Sequence, residues 1–115
     1  MSVFDDLDRR SRASRDAFER TLLADAVAEA SAEIQREYER TWRTVVRIAT
    51  QAADKGQRSI EWATKMDTKA FYLVLRRARV EGLRATDTTP PRPMAGERVR
   101  WYRLKVDWPS ERGQH

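Results

Sequence analysis

The sequence predicts an α+β fold: a long N-terminal helix, then a small antiparallel or mixed sheet of about three short strands with a second helix packed on it. Three observations predict it. Apolar residues recur at helical spacing through the first half of the chain, and they alternate with a period of two in Tyr102, Leu104, Val106 and Trp108 near its end. Between them, Gly56 and Gly82 punctuate the pattern as helix stops. At 115 residues, the chain has the size of one domain that buries a core without a disulfide or metal.

The first element spans about Arg15 to Ala53. Its stripe runs through Leu23, Val27, Ala30, Ile34, Tyr38, Trp42, Val45, Ala49 and Ala52, with no Gly or Pro to interrupt it. Ala24, Ala26, Ala28, Ala30 and Ala32 add helix propensity, and Asp16 with Arg20 and Glu39 with Arg43 are spaced for i,i+4 ion pairs. The part before Ile34 is poor in large apolar groups. Residues 1–33 are therefore expected to form a projecting arm or to pack against another chain, with Phe18, Leu22, Leu23 and Val27 as the candidate interface. Residues 34–109 are expected to form the α+β core domain, and residues 110–115 a disordered tail.

The helix should stop at Asp54-Lys55-Gly56. In Arg58 to Thr64, Ile60 and Trp62 alternate with Ser59, Glu61 and Ala63, as in a short strand. Asp67 or Thr68 then caps a second helix with an apolar face of Phe71, Val74, Leu75 and Ala78 and a cationic side of Lys69, Arg76, Arg77 and Arg79. Leu83 to Thr86 reads as strand, and residues 88–96, with three prolines, as a stiff polar loop. Val99 to Trp108 is a half-buried strand ended by Pro109.

Composition narrows the function. With no cysteine there is no disulfide framework, thiol nucleophile or zinc knuckle, which fits a reducing compartment. The opening MSVFDDLDRR has acids and no apolar run, so no secretory signal is expected, and no stretch approaches the roughly 20 apolar residues of a membrane span. The expected location is the cytoplasm, or a host cytoplasm or virion if phage-encoded. No membrane partner is expected. The only histidine is the terminal His115; Glu29, Glu33 and Glu37 share one exposed helical face; and Gly56, Gly82, Gly96 and Gly113 are isolated. That inventory supplies no catalytic, metal-binding or phosphate-cradling group, so neither enzymatic activity nor a cofactor is expected.

The formal charge of +5 is unevenly placed. Residues 1–57 carry 10 basic and 11 acidic groups, a net of −1, whereas residues 58–115 carry 13 and 7, a net of +6. A one-sided excess can attract nucleic acid, an acidic protein partner or anionic lipid, and the alternative reading is solubility. Candidate contacts for such a partner are Lys69, Arg76, Arg77, Arg79, Arg92, Arg98 and Arg100. Of the four tryptophans, Trp42 and Trp108 read as core. Trp62 and Trp101 are candidate aromatic anchors: exposed beside Arg58, Arg100 or Arg103, either would be a stacking platform for a base or an anchor for a protein.

Two resemblances bear on these residues. Ile60 to Leu104 resembles the winged-helix DNA-binding family in outline, with Ile60 to Met66 as the short helix, Thr68 to Glu81 as the recognition helix and residues 98–104 in the wing. That resemblance implies phosphate contacts from Lys69, Arg76, Arg77 and Arg79, with Arg92, Arg98 and Arg100 along the wing. The turn between Met66 and Thr68 is shorter than the family's, and the groove-facing side would have to carry Tyr72 and Leu73. Ala30 to Pro109 resembles small accessory or virion-associated proteins of tailed bacteriophages. The shared outline is a helix ending in Ala52-Ala53-Asp54-Lys55-Gly56, a strand, a helix ending in Gly82, and a last strand closing in Val106-Asp107-Trp108. It implies an interaction or structural protein acting through protein–protein contacts or self-assembly, with nucleic acid as a further partner. A winged-helix regulator and an inhibitor of a host protein are the alternatives.

Overall fold

The structure, a computed structural model, describes residues 3–90 and 99–108. Its order is α1 (Val3–Glu29), α2 (Ala32–Asp54), β1 (Ser59–Asp67), α3 (Thr68–Val80), β2 (Arg84–Asp87) and β3 (Val99–Asp107). The strands form one antiparallel sheet in the order β1-β3-β2. The expected α+β class, with a long N-terminal helix and a second helix packed on three strands, is what the chain adopts.

The expected single helix over 15–53 is two. α1 begins twelve residues earlier, at Val3, and the chain breaks at Ala30-Ser31. Ser31 is extended (φ −63°, ψ 158°), and its hydroxyl accepts a hydrogen bond from the Ile34 amide, capping α2. The Gln35 side-chain amide donates to the carbonyls of Val27 (2.7 Å) and Ala30 (3.2 Å), satisfying groups left open where α1 ends. The stripe itself holds across the break, since Leu23, Ile34, Tyr38, Val45 and Ala52 are all buried. At the α2 turn where Trp42 was expected to be core, Thr41 is buried and Trp42 is half-buried. Arg20 pairs with Glu81 rather than Asp16, and i,i+4 pairs formed in α1 include Asp6–Arg10 and Asp8–Arg12.

Both expected glycine stops hold. Gly56 (φ +80°) and Gly82 (φ +87°) take the left-handed conformation, and the amides of Gln57 and Leu83 reach back to the carbonyls of Ala52 and Ala78. β1 runs three residues past the expected Thr64, because Lys65, Met66 and Asp67 pair with Trp101, Arg100 and Val99 of β3. Asp67 both ends β1 and caps α3: its carboxylate accepts from the Lys69 amide (2.8 Å), and its own amide donates to Glu37 (2.7 Å). Replacing Asp67 with alanine should therefore lower unfolding free energy by about 1–2 kcal/mol, read as a shift in urea midpoint at unchanged slope.

The core lies between one sheet face and the α2/α3 layer. Ile60 and Met66 of β1, Ala85 of β2, and Tyr102, Leu104 and Val106 of β3 point into it, meeting Phe71, Val74, Leu75 and Ala78 of α3 and Tyr38 and Val45 of α2. Strand residues of the opposite parity face away from the helices. α1 contributes Leu23 alone to the buried set and rests on α3.

Candidate functional site

Three surfaces gather the residues that carry chemistry. The first is α1. Its 27 residues extend roughly 40 Å at helical rise. Val3, Phe4 (81% exposed), Leu7, Phe18 (63%) and Leu22 are all open to solvent. At roughly 100° per residue these five fall in one stripe, with Ser11 and Ser14 between them. Leu23 and Val27 lie on a different side of the helix and pack toward the core, Leu23 being only 7% exposed. The four candidate interface residues thus divide: Phe18 and Leu22 are surface, whereas Leu23 and Val27 dock α1 on the domain. Arg20 ties that docking down, donating to the Val80 carbonyl (3.1 Å) and pairing with Glu81 (3.6 Å). A cleft of about 430 Å³ opens beside it, lined in part by Leu23, Val27, Tyr38, Arg77 and Val80.

The second surface is the outer side of α3. Lys69, Tyr72, Arg76 and Arg79 are exposed there. Arg77 departs from the expected cationic side. Its guanidinium lies over the rings of Trp42 (4.9 Å) and Tyr38 (5.9 Å), donates to the Tyr38 hydroxyl (3.2 Å) and sits 4.0 Å from Glu81. Arg79 donates through Nε to the Ala85 carbonyl (3.1 Å), which joins α3 to β2. These two arginines hold elements together.

The winged-helix outline does not fit this arrangement. Ile60 to Met66, which it needs as a helix, pair with β3 along their whole length. Leu73, which it needs on a groove-facing side, is buried. Arg92 and Arg98 lie outside the described residues, as do most of the proline-rich loop, the 110–115 tail and His115. Arg100 pairs in register with Met66 and is half-buried.

The third surface is the sheet face turned away from the helices. By register it carries Ser59, Glu61, Ala63 and Lys65 of β1, Val99, Trp101, Arg103, Lys105 and Asp107 of β3, and Arg84 and Thr86 of β2. Trp101 is 58% exposed, directly opposite Lys65 and two residues from Arg103 on the same face. Trp62 is on the other face, packed against the core, so of the two candidate anchors only Trp101 presents its ring. Arg103 is oriented by the Thr88 carbonyl, to which Nε and Nη2 donate at 3.2 and 3.1 Å, and by Glu61 at 3.4 Å. A mainly apolar depression of about 230 Å³ lies beside Trp101, lined by Ala63, Thr89, Pro90, Trp101, Tyr102 and Arg103.

Among the described residues no group of three His, Cys, Asp or Glu side chains is placed to hold a metal ion, and no helix is long and apolar enough to cross a membrane. No family model, curated protein or solved structure matches the chain.

Proposed function

We propose that the protein is a non-enzymatic interaction protein, of the accessory or virion-associated kind, that assembles with a second copy of itself through α1. The observation that carries this reading is the stripe of Val3, Phe4, Leu7, Phe18 and Leu22 exposed along one helix. Among the described residues none covers them. Isolated helices of about 12–15 residues are marginal in water, and exposed i,i+4 ion pairs such as Asp6–Arg10 and Asp8–Arg12 in the residues of α1 that precede its docked end contribute only a few tenths of a kcal/mol each. Burying the stripe supplies the missing stabilisation.

The stripe is self-complementary. An antiparallel pairing of two α1 helices about a two-fold axis between Ser11 and Ser14 sets Leu7 against Phe18 and Val3 with Phe4 against Leu22. The small serines permit close approach at the centre, and Asp8 of one helix comes across from Arg15 of the other. The outline shared with small phage proteins supports the accessory or virion-associated assignment, with the host cytoplasm or the virion as its location.

Sedimentation velocity tests the assembly. The wild type should sediment as a dimer or larger species at micromolar concentration, and the Phe18→Asp/Leu22→Asp variant as a monomer whose α3, β1 and β3 amides remain protected from hydrogen exchange. A wild type that stays monomeric at high concentration, with fast hydrogen exchange in the first half of α1, would overturn the reading.

A further inference from the structure

We infer that the open face of the sheet is a binding surface for single-stranded nucleic acid, with Trp101 as its stacking platform. The face combines the two features such a ligand requires. One is an exposed ring on which any base can stack. The other is positive charge along the strands to follow a phosphate backbone. Trp101 supplies the ring, with Lys65 directly opposite it and Arg103 two residues along β3, and Lys105 and Arg84 continue the positive charge toward the other end of the strand, four cations on the face against two carboxylates, Glu61 and Asp107. Glu61 is engaged by Arg103. Lys65, Arg84 and Lys105 form no ion pair among the described residues, leaving their charge directed to solvent.

The depression beside Trp101 gives a base a place to sit. Ala63, opposite Arg103 in the register, is the small side chain that leaves room on the sheet surface. Pro90 offers an apolar edge, and the Arg103 guanidinium, held by the Thr88 carbonyl, is a second planar group beside the ring. A base stacked on Trp101 would leave its flanking phosphates within reach of Lys65 on one strand and Lys105 on the other.

Competing occupants fit less well. A protein partner or a further helix layer needs an apolar centre depleted of charge, whereas this face has two large exposed apolar side chains, Trp101 and, at the end of β3, Val99, among six charged ones. Sheets that read duplex DNA insert strands into a groove or apolar wedges between base steps, whereas the bases of a single strand are unstacked and free to lie on the Trp101 ring. The surface is separate from the α1 stripe, so this inference stands or falls independently of the assembly reading.

The test is fluorescence anisotropy of the full chain with labelled 12-nucleotide mixed-sequence RNA, the matching single-stranded DNA and the matching duplex, over a salt series. The expected result is preference for a single strand over the duplex, and a log–log salt slope of roughly −0.7 per phosphate contacted. Trp101→Ala should weaken single-strand binding roughly ten- to hundredfold with the salt slope unchanged. Lys65→Gln/Lys105→Gln should weaken it and flatten the slope. Because these side chains are exposed, the variants should melt with the wild type, and Phe18→Asp/Leu22→Asp should retain the single-strand preference. Equal or tighter binding of the duplex, or a Trp101→Ala variant that binds like wild type, would overturn the inference. So would absence of binding at low salt. The RNA and DNA arms establish which sugar the surface accepts.

Discussion

Phe71→Ala is expected to lower the unfolding free energy by about 3–5 kcal/mol, the largest loss from a single truncation in this domain. Phe71 is fully buried on α3, and its ring stacks on Tyr102 of the central strand β3 at 4.2 Å between centroids and 12° between planes. Truncation removes the transfer free energy of the ring and the stacking contact, and it leaves a void between helix and sheet that rigid neighbours cannot fill. Against a typical total stability of about 5–15 kcal/mol, that loss takes a large share of the margin. Tyr102→Phe is the control: it keeps the stack and removes only the 2.6 Å bond between the Tyr102 and Thr68 hydroxyls, for about 0.5–1.5 kcal/mol. Urea titrations of the two variants measure both values. Equal, small shifts would mean that the Phe71 ring does not join α3 to β3.

Phe71 also illustrates which parts of the fold are legible in the sequence. Its face on α3 follows from the spacing of Phe71, Val74, Leu75 and Ala78, and all four are buried. The buried face of β3 follows in the same way from alternation in Tyr102, Leu104 and Val106. Glycine marks both helix stops because an L side chain is strained at the positive φ of Gly56 and Gly82. The break at Ala30-Ser31 escapes this reading for a physical reason. Alanines on both sides favour helix, a serine inside a helix is an ordinary surface residue, and position 34, where a capping box would place Glu or Gln, is Ile34. What reveals the break is tertiary: Gln35 reaching back to two α1 carbonyls.

The candidate surfaces were less legible, because a side chain's type does not say what it meets. Arg77 and Arg79 read as two more cations in a basic run until Trp42, Tyr38, Glu81 and the Ala85 carbonyl are placed around them. Trp62 and Trp101 are distinguished by strand parity, which alternation in the two strands already implies, whereas the placing of Lys65 opposite Trp101 depends on the extension of β1 to Asp67. The same holds for the arm. Leu22 and Leu23 are adjacent in sequence, yet roughly 100° of helical rotation separates a solvent stripe from a docking contact.

That separation leads to the second large effect. Leu23→Asp should release α1 from the domain without unfolding it. Leu23 is the only buried residue of α1, and its neighbours in the docking contact, Val27 and Ala30, are only partly buried. Truncating a buried leucine costs about 2–5 kcal/mol, and holding a carboxylate in the same place adds a desolvation penalty, only partly offset by the nearby Arg20 and Arg77. The sum exceeds what one leucine, a partly covered valine and the exposed Arg20–Glu81 pair can return, so local opening is the lower-energy response. Native-state hydrogen exchange should then show α1 amides at nearly unfolded rates while α3, β1 and β3 remain protected. The urea-derived stability should fall by about 2–4 kcal/mol, limited by the docking free energy rather than by the full cost of the buried charge. Phe18→Asp/Leu22→Asp should do the reverse, leaving α1 docked while abolishing self-association. If Leu23→Asp instead abolished protection throughout the sheet, α1 would be integral to the core, and its exposed stripe could no longer be regarded as part of a separable arm.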